Sequence, residues 1–370
     1  MNTVLAIRMM LMACLLSCVL SAHQAIAREG DLDPSFGQGG IALYPLSENG
    51  SCLAGANAVA VHPDGSIWIA GWVRDAAIPE RDAAYLKVDA HGNVLFSDFG
   101  YEQTELRGIA IDAATGEIYV AGNQGNVVSV RALNSDGSFD TGFGNNGVRG
   151  IAIDGDMGHQ TTVNDLQLDA GGSLYLTGDY NGSGQQQAML AYLTSDGTLQ
   201  AAQAVTSDPT DHIATSLAIQ PPDGHLLVSG YTSGLCATED FDVTFTSGFH
   251  FTPDAGFSSP LYGPTDQACF VDASAVLPAD GSLREAGRVV DNTGTWTAMW
   301  QKVDANGALT QAMLLFHMSP WGDNSPRKVL LVQNGTLTDS IRWVVVGFTG
   351  VDATGTPGAW AGRFRNDGSF

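Results

Sequence analysis

The chain has 370 residues, 44% of them hydrophobic, so it has the material for a large buried core. Its 39 acidic against 16 basic residues give a formal net charge of −23, which excludes nucleic acid and anionic lipid as partners. Only 15% of residues are charged and 45 are glycine, a balance that points to short strands and tight turns.

Met1–Ala27 carries one Arg and an apolar run through Leu20, and it ends Ala25-Ile26-Ala27. This is the pattern of a secretory leader cut near Ala27, with a lipid anchor at Cys18 as the minor alternative. The run is short for a membrane span, and no second stretch is long enough, so a secreted or periplasmic protein without a transmembrane segment is expected. Beyond the leader three cysteines remain, Cys52, Cys236 and Cys269. An oxidising compartment permits a disulfide, and Cys236 with Cys269 flanks one irregular stretch; spacing alone leaves the pairing open.

From Ala56 onward the chain repeats. A strand-like run ends in glycine six times: WIAG at Gly71, YVAG at Gly122, YLTG at Gly178, LVSG at Gly230, REAG at Gly287 and VVVG at Gly347. Each unit reads strand, Asp-Gly-type turn, strand, strand and a short fourth strand, with apolar residues alternating or continuous over four to seven positions. The units lie near 56–100, 107–153, 163–205, 214–270, 273–316 and 327–370, all within one domain, 28–370. Unit four is irregular from Leu235 to Phe270. The last unit lacks a final strand, while the segment 31–48, with GIALYPL at Gly40–Leu46, precedes the first. The expected fold is therefore all-β: a six-bladed β-propeller whose ring is closed when the N-terminal strand completes the last blade, Ile41 lying beside Phe364. A seven-bladed ring is the alternative if unit four hides a further blade.

LDPSFGQGG, ALNSDGSFDTGFGNNG and RFRNDGSF together resemble the delta-60 repeat family. The likeness is strongest at Leu32–Gly40 and Leu133–Gly147. It implies an exported bacterial β-propeller and carries over no catalytic residue.

GFGNNG at Gly142–Gly147 matches a dinucleotide fingerprint in letters only, because a strand rather than a helix follows it. No cofactor is expected. Asp136 with Asp140, Asp154 with Asp156, and Asp240 with Asp242 offer oxygens to calcium, against the ordinary use of Asp in turns. His159, His212 and His317 precede first strands at unequal offsets, a weak metal pattern. Trp321, in a loop before unit six, is a candidate sugar or protein contact.

Aligning the residue before each first strand gives Asn57, Arg107, Asn164, Thr215, Ala273 and Arg327, with Asp165 and Lys328 next in line. In a propeller these positions converge at one channel mouth. Asn57, Arg107, Asn164, Asp165, Arg327 and Lys328 are the candidate ligand-binding set, suited to an anionic or sugar-like ligand. The plain alternative is that they hydrate the channel. Two functions follow. The first is a monomeric binding or scaffolding module for a protein or glycan, acting through one face. The second is a hydrolase or lyase for a sugar or ester, with Asp165 as base.

Overall fold

The computed structural model describes residues 35–38, 42, 44, 52–75, 80–99, 103–153, 158–182, 186–204, 212–220, 225–232, 235–244, 250–258, 269–276, 281–290, 296–304, 309–315, 324–333, 341–351 and 357–365, with side chains over most of 54–230 and parts of 274–310. Outside them lie the leader, Cys18, Asp154, Asp156, His317, Trp321 and, apart from Ala42 and Tyr44, the closing segment 40–46. The chain divides into two compact units, Met1–Ala42 and Leu43–Phe370, and the 23 strands found among the described residues belong to the second.

The fold is all-β and antiparallel, and no described helix is long and apolar enough to cross a membrane. The first sheet joins β1 (Cys52–Val61), β2 (Ile67–Asp75), β3 (Asp82–Val88) and β4 (Val94–Phe99) in chain order. The second joins β5 (Thr104–Ile111), β6 (Ile118–Gln124), β7 (Val127–Leu133) and β8 (Val148–Ile151). The third holds β9 (Gln160–Leu168), β10 (Leu174–Asn181), β11 (Gln187–Leu193) and β12 (Leu199–Ala204). The fourth holds β13 (His212–Gln220), β14 (His225–Thr232), β15 (Leu235–Thr244) and β16 (His250–Ser258). The fifth holds β17 (Cys269–Val276), β18 (Leu283–Val290), β19 (Trp296–Val303) and β20 (Leu309–Leu315). Among the described residues the sixth has three strands, β21 (Asn324–Gln333), β22 (Ile341–Val351) and β23 (Pro357–Arg365).

The stretch expected to be irregular, Leu235–Phe270, in fact supplies β15, β16 and the start of β17. Asp240-Phe241-Asp242-Val243 alternates as a half-solvated outer strand does, and that pattern is easily taken for a loop. Cys236 and Cys269 fall in β15 and β17, and their side chains lie outside the described set.

From the second sheet to the sixth, each packs its first strand against the first and second strands of the sheet before it. β6 and β10 are consequently buried on both faces, which is why IYVAG and LYLTG read as near-continuous apolar runs. On β6, Ile118 and Val120 join Trp68, Ala70 and Tyr85 in the core between sheets one and two. Tyr119 and Ala121 face the other way, into the core shared with Val163, Leu166, Leu174 and Leu176 of sheet three. Tyr175 and Tyr192, stacked at 4.9 Å, begin the core between sheets three and four.

Candidate functional site

The repeated glycine has a steric cause. In every sheet the first strand carries a β-bulge, and its extra residue is Asn57, Arg107, Asn164, Thr215, Asp272 or Arg327. The residue just before the bulge pairs with the glycine: Ala56 with Gly71, Leu106 with Gly122, Val163 with Gly178, Ala214 with Gly230, Val271 with Gly287 and Pro326 with Gly347. A Cβ at Gly71, Gly122, Gly178 or Gly230 would overlap the carbonyl oxygen of Gly55, Glu105, Thr162 or Ile213. The bulge turns that carbonyl into the opposite strand, and only glycine leaves room.

The bulges fall at the same register position on each first strand, opposite the glycine of the second. The ring read from sequence therefore needs one correction: its fifth member is Asp272, not Ala273, because the register skips between Val271 and Ala273. Arg327 and Lys328 lie in β21, with side chains outside the described set.

Two of the predicted residues, Arg107 and Asn164, meet, and Asn57 is linked to Arg107 through Glu105. Asn57 Nδ2 donates to the Leu106 carbonyl at 2.7 Å and to Glu105 Oε1 at 3.3 Å. Asn164 repeats the first contact two sheets on, donating to the Ala214 carbonyl at 2.8 Å. Between them Arg107 Nη1 donates to Asn164 Oδ1 at 3.2 Å. These bonds tie neighbouring first strands together, which is a structural use of the set. Asp165 stands apart. Buried, it accepts from Leu166 N, from Leu217 N at 3.0 Å and from Ser216 Oγ at 3.2 Å, and Ser216 in turn bonds Ser274. Its carboxylate is a staple across sheets three to five.

Sequence reading missed the residues that complete the cluster. Glu105 ion-pairs with Arg81 at 2.6 Å and with Arg107 at 3.5 Å. The Arg81 guanidinium lies over the Trp72 ring, 4.1 Å from its centroid. Asp179 follows the anchor glycine of sheet three and accepts from Asn164 Nδ2 at 3.0 Å and from the Ala214 N–H. Its counterpart in sheet two, Asn123, accepts from Val163 N at 2.7 Å, the equivalent N–H. A polar residue after the anchor glycine thus catches an N–H of the next sheet. In sheet three that residue can ionise. Burial is the larger influence and pushes the Asp179 carboxyl up to about 7, against hydrogen bonds from Asn164 and Ala214 and the Arg107 charge. Among the described residues Asp179 Oδ1 and Arg107 Nε are buried without a hydrogen-bond partner.

At the far end of the sheets the Asp residues build turns. Asp136 Oδ1 accepts from Ser138 N at 2.9 Å and Ser138 Oγ at 2.6 Å, and Asp140 Oδ1 from Gly142 N at 2.9 Å. Hydrogen bonds within the turn, Ser138 foremost, hold the Asp136 carboxyl below its usual range. Gly142–Gly147 is likewise a turn, with Gly144 at φ 52° and Gly147 at φ 90°, and it leads into β8. His159 sits edge-on to Tyr180 at 6.1 Å. The side chains of Asp240, Asp242 and His212 lie outside the described set. Among the described residues no group of three or more His, Cys, Asp or Glu side chains is placed to hold a metal ion.

No curated protein matches the chain. Among solved structures it is similar to a protein from Lactobacillus plantarum, at 17% identity over 83% of this chain and 84% of that one, with a TM-score of 0.49. A protein of unknown function from Bacteroides caccae shares 14% identity over 74% and 86%, with a TM-score of 0.43. The Pan2 WD40 domain of Neurospora crassa shares 11% over 84% and 93%, also at 0.43. Residues 113–143, from the β5–β6 turn through β7 to Phe143, match the family described as a domain of unknown function (DUF5122) β-propeller.

Proposed function

We propose that the chain is an exported six-bladed β-propeller that acts as a binding or scaffolding module through the end of the sheets bearing the bulge residues. Its ring is closed by the segment 40–46, which completes the three-stranded sixth sheet.

Closure is supported by the open face of the first sheet. Val59 and Val61 are 42% and 68% exposed, and Ile67 and Ile69 only half-buried. Their counterparts one sheet on, Ile109, Ile111, Ile118 and Val120, all pack in the core against sheet one. A sheet at the end of an open row has no use for such a face, whereas a ring covers it with the last sheet. Tyr44 Oη donates to the Gly92 carbonyl at 3.1 Å, which brings the N-terminal segment to the β3–β4 turn of sheet one.

The observation that carries the binding reading is the polar cluster in which the bulge residues Arg107 and Asn164 join Arg81, Glu105 and Asp179. The test uses immobilised mature protein against glycan arrays and the proteins of its own exported fraction. Capture that disappears in the Arg107→Ala/Arg327→Ala variant supports the reading; capture that persists there moves the binding surface elsewhere. The hydrolase or lyase reading rests on one observation: burial lifts the Asp179 carboxyl to about 7, where it can exchange protons near neutrality. It requires turnover of a sugar or ester that Asp179→Asn abolishes.

A further inference from the structure

We propose that Cys236 and Cys269 form a disulfide that ties sheet four to sheet five at the end bearing the bulge residues. The inference rests on the reading of the chain as exported, since a disulfide persists only in an oxidising compartment. It chooses among the pairings that spacing alone leaves open.

Register carries the pairing. Positions in different sheets are equivalent when counted from the anchor glycine. Cys236 is one residue before Ala237, the β15 partner of Gly230, and Cys269 is two residues before Val271, the β17 partner of Gly287. At the seam between sheets one and two the same two positions hold Ala83 and Thr104. Between sheets two and three they hold Val128 and Thr161. All four of those side chains are buried.

At both seams the backbones come together at this place. Asp82, just before Ala83, accepts through Oδ1 from the N–H of Gln103, just before Thr104, at 3.1 Å. Thr161 N donates to the carbonyl of Asn126, two residues before Val128, at 3.3 Å. A disulfide needs Cα atoms about 4.4–6.8 Å apart, so it can form only where one sheet's backbone abuts the next. β15 packs against β17 as β3 does against β5 and β7 against β9, and it brings a cysteine to each of the two abutting positions.

Cys52 has no cysteine at the matching positions around it. It opens β1, in sheet one. The Cys269 position of sheet two is Thr104, and the Cys236 position of sheet six is Ala359, just before the β23 partner of Gly347. Sheets two and three separate Cys52 from Cys236, and in the closed ring sheet six separates it from Cys269.

Formation is a two-electron oxidation. One cysteine thiolate attacks a sulfur of an oxidant disulfide and expels a thiol. The second cysteine then attacks the mixed disulfide and expels the other thiol. One S–S bond forms in the protein, and two electrons and two protons leave with the oxidant as its two thiols. The bond encloses β16 in a covalent loop and ends in the strand that carries the bulge residue Asp272. It thus holds the bulges of sheets four and five in fixed relation on the face read as a binding surface.

The experiment is peptide mapping by mass spectrometry. Mature protein is purified reduced, equilibrated with oxidised glutathione, alkylated and digested. A second map is made from whole cells of the host, with thiols blocked at lysis. A Cys236–Cys269 peptide pair with Cys52 alkylated is expected in both. Reduction with dithiothreitol should lower the melting midpoint of the oxidised protein by about 5 °C. Cys269→Ser should melt at that lower midpoint and ignore the reductant, while Cys52→Ser should keep the linked pair. The inference is overturned if Cys52 enters the linked pair, if Cys236 and Cys269 remain unlinked in glutathione, or if reduction leaves the midpoint unchanged. A pair that forms in glutathione but is absent from the cells upholds the pairing and overturns the reading of the chain as exported.

Discussion

Asp179 sets a stability signature of its own. Its carboxyl is raised to about 7 in the folded chain against 3.8 for the free group. A carboxyl that binds its proton more tightly when folded destabilises the fold wherever it is ionised, so the cost is full above pH 7. It is relieved as pH falls from 7 towards 4, by on the order of 3–4 kcal/mol in all. Asp179→Asn should remove that slope: urea midpoints at pH 8 should rise relative to the parent, and the advantage should narrow by pH 4. The anchor glycines act in the opposite sense. Gly178→Ala places a methyl on the Thr162 carbonyl and should cost about 3 kcal/mol by urea denaturation. An alanine at Gly150, which has only a side-chain methyl of Val127 in ordinary contact, should be nearly neutral.

At the level of the element, most of the architecture was legible, and the reasons are specific. Second strands read as continuous apolar runs because both faces are buried, and the Asp-Gly turns announced themselves through glycines at positive φ such as Gly65 and Gly137. The bulge was not legible. One inserted residue in a strand leaves no compositional mark, so the alignment slipped by one, from Asp272 to Ala273. Asp179 was missed for a related reason: its importance lies in an N–H of the next sheet, some 35 residues on in the chain. Gly142–Gly147, which matches a dinucleotide fingerprint in letters only, has a packing role instead. Phe143 is fully buried, 5.7 Å from Tyr119, and Gly144 N donates to the Asp196 carbonyl at 2.8 Å, so the loop plugs the gap between sheets two and three. Phe143→Ala should cost about 3–5 kcal/mol, measured as a shifted denaturation midpoint.

On the scale of the whole molecule, closure makes the sharpest demand. Val61→Asp would set a charge on a residue now 68% exposed. On an open row of sheets that change should alter stability by less than about 0.5 kcal/mol. In a closed ring it buries an unpaired carboxylate, and a loss of several kcal/mol is expected, read by calorimetric melting. If the ring is closed as proposed, removing residues 28–46 should have a like effect and promote aggregation, since the edge of the sixth sheet would lose its cover.

The six bulges also divide the labour within each first strand. Below the inserted residue lie the side chains that glue sheet to sheet: Ile109 and Ile111, Leu166 and Leu168, Leu217 and Ile219. At the inserted residue sit Asn, Arg, Asn, Thr, Asp and Arg. The molecule is in effect a building of two storeys, greasy masonry beneath and exchangeable furnishings above. Chemistry on the upper floor can be swapped sheet by sheet while the walls below stay as they are.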